Sequence, residues 1–154
     1  MPNTYTQIYL HFIFVVKGRE SLLNKKVHED LFRYFNSIIN LKTQKLLALN
    51  GYLDHLHLLI SIDPNKSISD LVKELKVHST KFIKGNLNVK SFSWQGGYAC
   101  FSYGASQLSK VKTYIAKQEE HHKSKSFKEE YERFLKAFNI PYDERYVFEY
   151  LDLD

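Results

Sequence analysis

The sequence predicts an α+β fold, a mainly antiparallel sheet with helices packed on it. Three observations carry that expectation. Period-two alternation of apolar residues marks residues 4–17 and 55–62, apolar residues at helical spacing fill the longer stretches, and Gly, Pro, Asn and Asp punctuate the changes. The 154 residues are 44% hydrophobic and 25% charged with only 6 Gly and 3 Pro, which excludes a disordered or collagen-like chain and leaves enough for one core. The expectation is one domain, 1–154, with a C-terminal helix and an acidic tail from about residue 124.

The elements follow in order. Residues 4–17 read as a long strand with Ile8, Leu10, Phe12, Phe14 and Val16 on one greasy face and Gln7, Tyr9, His11, Ile13 and Val15 on a mixed one. Val27, Leu31, Tyr34, Phe35 and Ile38 share a helix face over 27–40, after Asn24 as cap. Residues 44–52 and 55–62 form two strands around Gly51-Tyr52-Leu53-Asp54, ended by Pro64. Ser67 opens a helix carrying Ile68, Leu71, Leu75 and Phe82, and 86–90 is loop. A short strand covers 98–103, Ser106 caps a helix running to about Glu120, and 127–138 is a last helix before Pro141. This is a ferredoxin-like or RNA-recognition-like βαββαβα layout with a further helix, which by itself says little about function.

No apolar run approaches the ~18 to 20 residues of a membrane span, and the polar start MPNTYTQ lacks a signal-peptide pattern. The lone Cys100 can neither pair internally nor build a Cys-based zinc site. A soluble, cytoplasmic chain with no membrane partner is the expectation. The net charge of +5 is unevenly spread: residues 64–117 hold nine Lys against Asp70 and Glu74, while the rest is slightly acidic. Together with 15% aromatic residues, that basic middle suits nucleic acid, with cations for phosphate and rings for unstacked bases; an ordinary solvated lysine face is the other reading. Lys73, Lys76, Lys81, Lys84, Lys110 and Lys112 are the candidate phosphate contacts.

His55-Leu56-His57 carries the chemistry. On a strand both imidazoles project from one face, opposite Leu56, Leu58, Ile60 and Ile62, and such a pair can hold a metal ion; two unrelated hairpin histidines are the alternative. Tyr114 and Gln118 lie four apart on the late helix, beside the stripe Leu108, Val111 and Ile115. Tyr114 either sends its hydroxyl to water or presents a phenol at the rim of a site whose third ligand is the Gln118 carbonyl oxygen. His121 and His122 read as a solvated helix end, with contact to phosphate or metal as the alternative, His28 as surface, and His11 as packed or hydrogen-bonded. Trp94 and Tyr98 read as structural or base-stacking.

His55-Leu56-His57 on a strand, Trp94-Gln95-Gly96-Gly97-Tyr98, Tyr114-Ile-Ala-Lys-Gln118 on a late helix, and a long first strand ending Phe14-Val-Val-Lys17-Gly18-Arg19 together resemble the single-tyrosine HUH transposases of small bacterial insertion sequences, the insertion-sequence 200/605 group. The resemblance spans residues 5–118. It implies a DNA transposase that cleaves and rejoins single-stranded or hairpin DNA at insertion-sequence ends, with Tyr114 as nucleophile forming a 5′-phosphotyrosine. It also implies His55, His57 and Gln118 as ligands of Mg2+ or Mn2+, a homodimer with shared active sites, and a nucleoid-associated bacterial or archaeal location. By ligand type alone, two imidazoles favour Mn2+ or a later ion over Mg2+. A non-catalytic single-stranded nucleic-acid-binding module of RNA-recognition-like fold and a domesticated HUH nuclease are the alternatives. A two-histidine phosphoesterase is disfavoured, because His78-Ser79-Thr80 falls on a helix and the strand pair lacks a hydroxyl.

Overall fold

The computed structural model describes residues 3–40 and 43–142; the acidic tail expected beyond them lies outside the described residues. Strand β1 (Tyr9–Val15) leads to α1 (Lys25–Ile39), the hairpin β2 (Lys45–Gly51) and β3 (His55–Ser61), α2 (Ile68–Gly85) and β4 (Ala99–Tyr103). Three helices close the described chain: α3 (Leu108–Ala116), the single turn α4 (Gln118–His121) and α5 (Phe127–Ala137). The sheet order is β2-β3-β1-β4, and every pairing is antiparallel. The α+β expectation holds.

Strand parity explains the layering. Leu10, Phe12 and Phe14 of β1 and Leu56, Leu58 and Ile60 of β3 share one face and bury against Leu31 and Phe35 of α1 and Leu71 and Leu75 of α2. Trp94 is structural, since its Nε1 donates to the buried Ser79 Oγ at 2.9 Å on that same side. The opposite face carries Ile13, Val15 and Phe101, packed on Phe127, Tyr131 and Leu135 of α5, with Leu59 against Val111 and Ile115 of α3. Burying a side chain of this size stabilises by about 1.5–3 kcal/mol, so both layers are well anchored. The two histidines of β3 lie on this second face, beneath α5.

The caps follow local chemistry. Asn24 Oδ1 accepts from the Val27 amide at 2.9 Å, Ser67 Oγ from Asp70 at 3.0 Å, and Ser126 Oγ from Glu129 at 3.2 Å. The hairpin needs glycine at Gly51, where a Cβ would meet the His55 carbonyl oxygen at 2.2 Å.

Three boundaries differ from expectation, the first being the opening strand, which begins at Tyr9 and ends at Val15 and not at residues 4 and 17. Ser106 does not cap the late helix; it lies inside a 3-10 turn (Ala105–Gln107) entered at Gly104, whose amide donates to Gln107 Oε1 at 3.1 Å. The helix expected to run to Glu120 breaks at Lys117 (φ −100°, ψ 22°), where one amide is shared between the Thr113 and Tyr114 carbonyls. The break falls between Tyr114 and Gln118, so the two are not stacked along one continuous helix.

Candidate metal and tyrosine site

His55 and His57 project from β3 into the space between the sheet and the α4–α5 corner, and both are fully buried. Each ring is held through Nδ1. Asp54 Oδ1 accepts from His55 Nδ1 at 2.8 Å, and Asp54 Oδ2 is tied to Arg19 Nε at 3.1 Å. His57 Nδ1 meets His11 Nε2 at 2.7 Å, so His11 is hydrogen-bonded, as expected. A carboxylate only accepts, so His55 Nδ1 carries a proton and Nε2 is the atom presented to the site.

The α4 turn delivers Gln118, which is fully buried. Its Oε1 lies 3.2 Å from His55 Nε2 and 3.2 Å from His122 Nε2. Glu130 of α5 completes the cluster, with Oε1 at 3.1 Å from His57 Nε2, 3.3 Å from His55 Nε2 and 3.4 Å from His122 Nε2. Glu130 Oε2 accepts from Gln118 Nε2 at 3.0 Å and from the Tyr114 hydroxyl. The Tyr114 and His57 rings stand edge to face, 6.0 Å between centroids. One chain therefore brings His55, His57, Gln118 and Tyr114 together.

Charge follows from this packing. Burial opposes an imidazolium at His55, but the Asp54 hydrogen bond and then Glu130 outweigh it and lift the group to about 9. Burial keeps His57 below the usual imidazole value despite Glu130. Burial opposes the Glu130 carboxylate, yet the charge of His57 and the bonds from His122, His55 and His57 hold it well below the carboxylate range. Burial first, and the Glu130 charge second, push the Tyr114 phenol well above its ordinary value. Among the described residues, His55, His122 and Glu130 offer ligand atoms all within 4.8 Å of one another. Imidazole nitrogens, a carbonyl oxygen and a carboxylate converging in this way fit a divalent cation.

The sequence did not single out Glu130, and for His122 it favoured a solvated helix end over contact with phosphate or metal. His122 is no solvated helix end: its side chain is 3% exposed, stacks on Tyr52 and faces His55. His121 is half-buried and stacks on Tyr114 at 4.5 Å, and His28 is half-buried with Nε2 donating to the Tyr52 carbonyl at 3.0 Å. A usable signal for Glu130 existed, because it borders the apolar stripe Phe127, Tyr131, Phe134 and Leu135 on the inward side of α5.

The candidate lysines do not form one tract. Lys73, Lys81 and Lys84 are exposed on α2, on the far side of the sheet from the histidines; Lys110 and Lys112 are exposed on α3, on the near side. Lys76 is half-buried and donates to the Gln95 carbonyl at 2.9 Å and to that of Gly97, which makes it a strut between α2 and the Gly96-Gly97 turn.

Residues 4–118 match the family model described as "Transposase IS200 like". The chain belongs to the IS200-like transposase family. It is 27% identical over 124 residues to the ISDra2 transposase TnpA of Deinococcus radiodurans, a match covering 73% of this chain and 84% of that protein. Its fold is similar to a crystal structure described as that of a candidate transposase from Deinococcus radiodurans R1, with a TM-score of 0.60 at 23% identity, covering 77% of this chain and 95% of the other. It is also similar to a REP-associated tyrosine transposase solved bound to a REP hairpin, with a TM-score of 0.55 at 14% identity, covering 79% and 73% of the two chains. The IS200-like match ends at Gln118, so Tyr114 and the histidine pair lie inside it while His122 and Glu130 lie beyond it. No helix among the described residues is long and apolar enough to cross a membrane.

Proposed function

We propose that this IS200-like transposase cuts and rejoins single-stranded DNA, hairpin-flanked at insertion-sequence ends, through a 5′-phosphotyrosine on Tyr114. The observation that carries the reading is the approach of Tyr114 and Gln118 to the two β3 histidines within one chain. His55, His57 and Gln118 hold a divalent cation, Mg2+ or Mn2+, which when bound polarises the scissile phosphate and neutralises charge developing on it. Tyr114 Oη attacks phosphorus; the Oη–P bond forms, the P–O3′ bond breaks, and the phenol proton ends on the released 3′ oxygen. Attack by another 3′-OH reverses these changes, so rejoining needs no nucleotide hydrolysis. Asp54 and His11 fix the two imidazole rings, and Lys110 and Lys112, on the same side of the sheet, guide the strand by phosphate contact.

A labelled DNA hairpin with single-stranded flanks, incubated with protein and Mn2+, tests this reading. A covalent protein–DNA adduct that vanishes in EDTA is the expected result. Binding without nicking in any metal is the result of the rival reading, a non-catalytic nucleic-acid-binding module.

A further inference from the structure

We infer that Glu130 is a resident ligand of the divalent ion that stands in for the scissile phosphate until DNA displaces it. The inference rests on the metal reading above and goes beyond it, since Glu130 belongs to α5 and lies past the IS200-like match.

The distances speak first. Glu130 Oε1 lies 3.1–3.4 Å from three imidazole Nε2 atoms, and Gln118 Oε1 lies 3.2 Å from two of the same nitrogens. A charge-assisted hydrogen bond between these groups is shorter, about 2.7–2.9 Å. One proton on His55 Nε2 would have to be shared between Gln118 Oε1 and Glu130 Oε1, which weakens both bonds. Donor atoms each about 2.1 Å from a common ion, in contrast, stand about 3.0–3.4 Å apart. The Glu130 and Gln118 oxygens stand at ligand-shell spacing from the imidazole nitrogens they face.

The bite of the carboxylate speaks second. One oxygen faces the imidazoles, while the other takes the Tyr114 hydroxyl and the Gln118 amide. A phosphodiester under attack must do the same, with one oxygen on the ion and its centre facing the phenol. Glu130 is 2% exposed and fills that position with a single negative charge, so phosphate and carboxylate compete for it.

The test uses the full chain with Mn2+ and dimethyl phosphate, the smallest phosphodiester. Glu130→Gln should weaken Mn2+ binding by at least tenfold in calorimetry, yet increase paramagnetic broadening of the dimethyl phosphate 31P line relative to wild type at equal Mn2+ occupancy. Unchanged Mn2+ affinity, or equal broadening in the two proteins, overturns the inference. Glu130→Asp, which keeps the charge but withdraws it, repeats the measurement if the Gln variant loses cooperative unfolding. His57→Ala separates the two levels: unaltered Mn2+ affinity there defeats the metal reading itself, whatever Glu130 does.

Discussion

The carbonyl oxygen of Gln118 lies 3.2 Å from Nε2 of His55, across 63 residues of chain, because its amide nitrogen is already committed to Glu130 Oε2 at 3.0 Å. An amide has one oxygen and one nitrogen end, so fixing the donor aims the acceptor. Orientation of a ligand by a neighbour of this kind typically governs metal affinity by 10–100-fold. Gln118→Ala should therefore bind Mn2+ at least tenfold more weakly while its circular dichroism stays that of wild type. Calorimetric affinity equal to wild type would remove Gln118 from the ligand set.

The metal-free protein should lose stability as pH rises. Folded His55 titrates at about 9, above the ~6.5 of a free imidazole, so the folded chain binds the extra proton between these values. That contribution is fully present below about pH 6.5 and lost as pH passes through about 9. His11 and His57 are shifted the other way, so their effect falls below this window and does not oppose it. Urea midpoints in EDTA should fall from pH 7 to 9, and the fall should flatten with saturating Mn2+, which takes the place of the proton. A midpoint that rises with pH in EDTA contradicts the arrangement.

Much of the fold was legible because period and caps agreed. The apolar run of Leu56, Leu58 and Ile60 put both histidines on the other face of β3, and Asn24 and Ser67 cap where their side chains predicted. The break at Lys117 was not legible. Residues 114–121 contain neither Gly nor Pro, and local propensity favours a straight helix; the turn exists because Gln118 is drawn into a buried polar cluster. The solvated reading of His122 fails for the same reason, since the break swings it inward. Glu130 was missed because a carboxylate on an amphipathic helix is ordinarily solvated, and its partners lie on β3, α3 and α4. The lysine tract was a statement about sequence proximity, and the sheet divides it.

That division gives a prediction about DNA. Lys110→Glu with Lys112→Glu should flatten the slope of log affinity against log salt by about 1.4, since each phosphate contact to a single strand contributes ~0.7. Lys73→Glu with Lys81→Glu, on the far side of the sheet, should leave the slope unchanged. Equal effects from the two pairs would mean that the strand wraps both faces.

Ser79 offers a check on the opposite layer. Ser79→Ala leaves the buried Trp94 Nε1 without its acceptor, at a cost of about 1–3 kcal/mol. Chemical denaturation should show that loss with Mn2+ affinity unchanged, because the pair lies across the sheet from the histidines. A stability within about 0.5 kcal/mol of wild type would show that the indole finds another partner.

The most direct test of the account is covalent capture by Tyr114. With Mn2+ and a labelled hairpin carrying single-stranded flanks, wild-type protein should form an adduct that survives denaturing electrophoresis and maps by peptide mass to Tyr114. Tyr114→Phe should form none, while hairpin affinity stays within about tenfold, since one hydroxyl adds little to contacts dominated by phosphate charge. An undiminished adduct in Tyr114→Phe would contradict the account and move the nucleophile elsewhere on the chain.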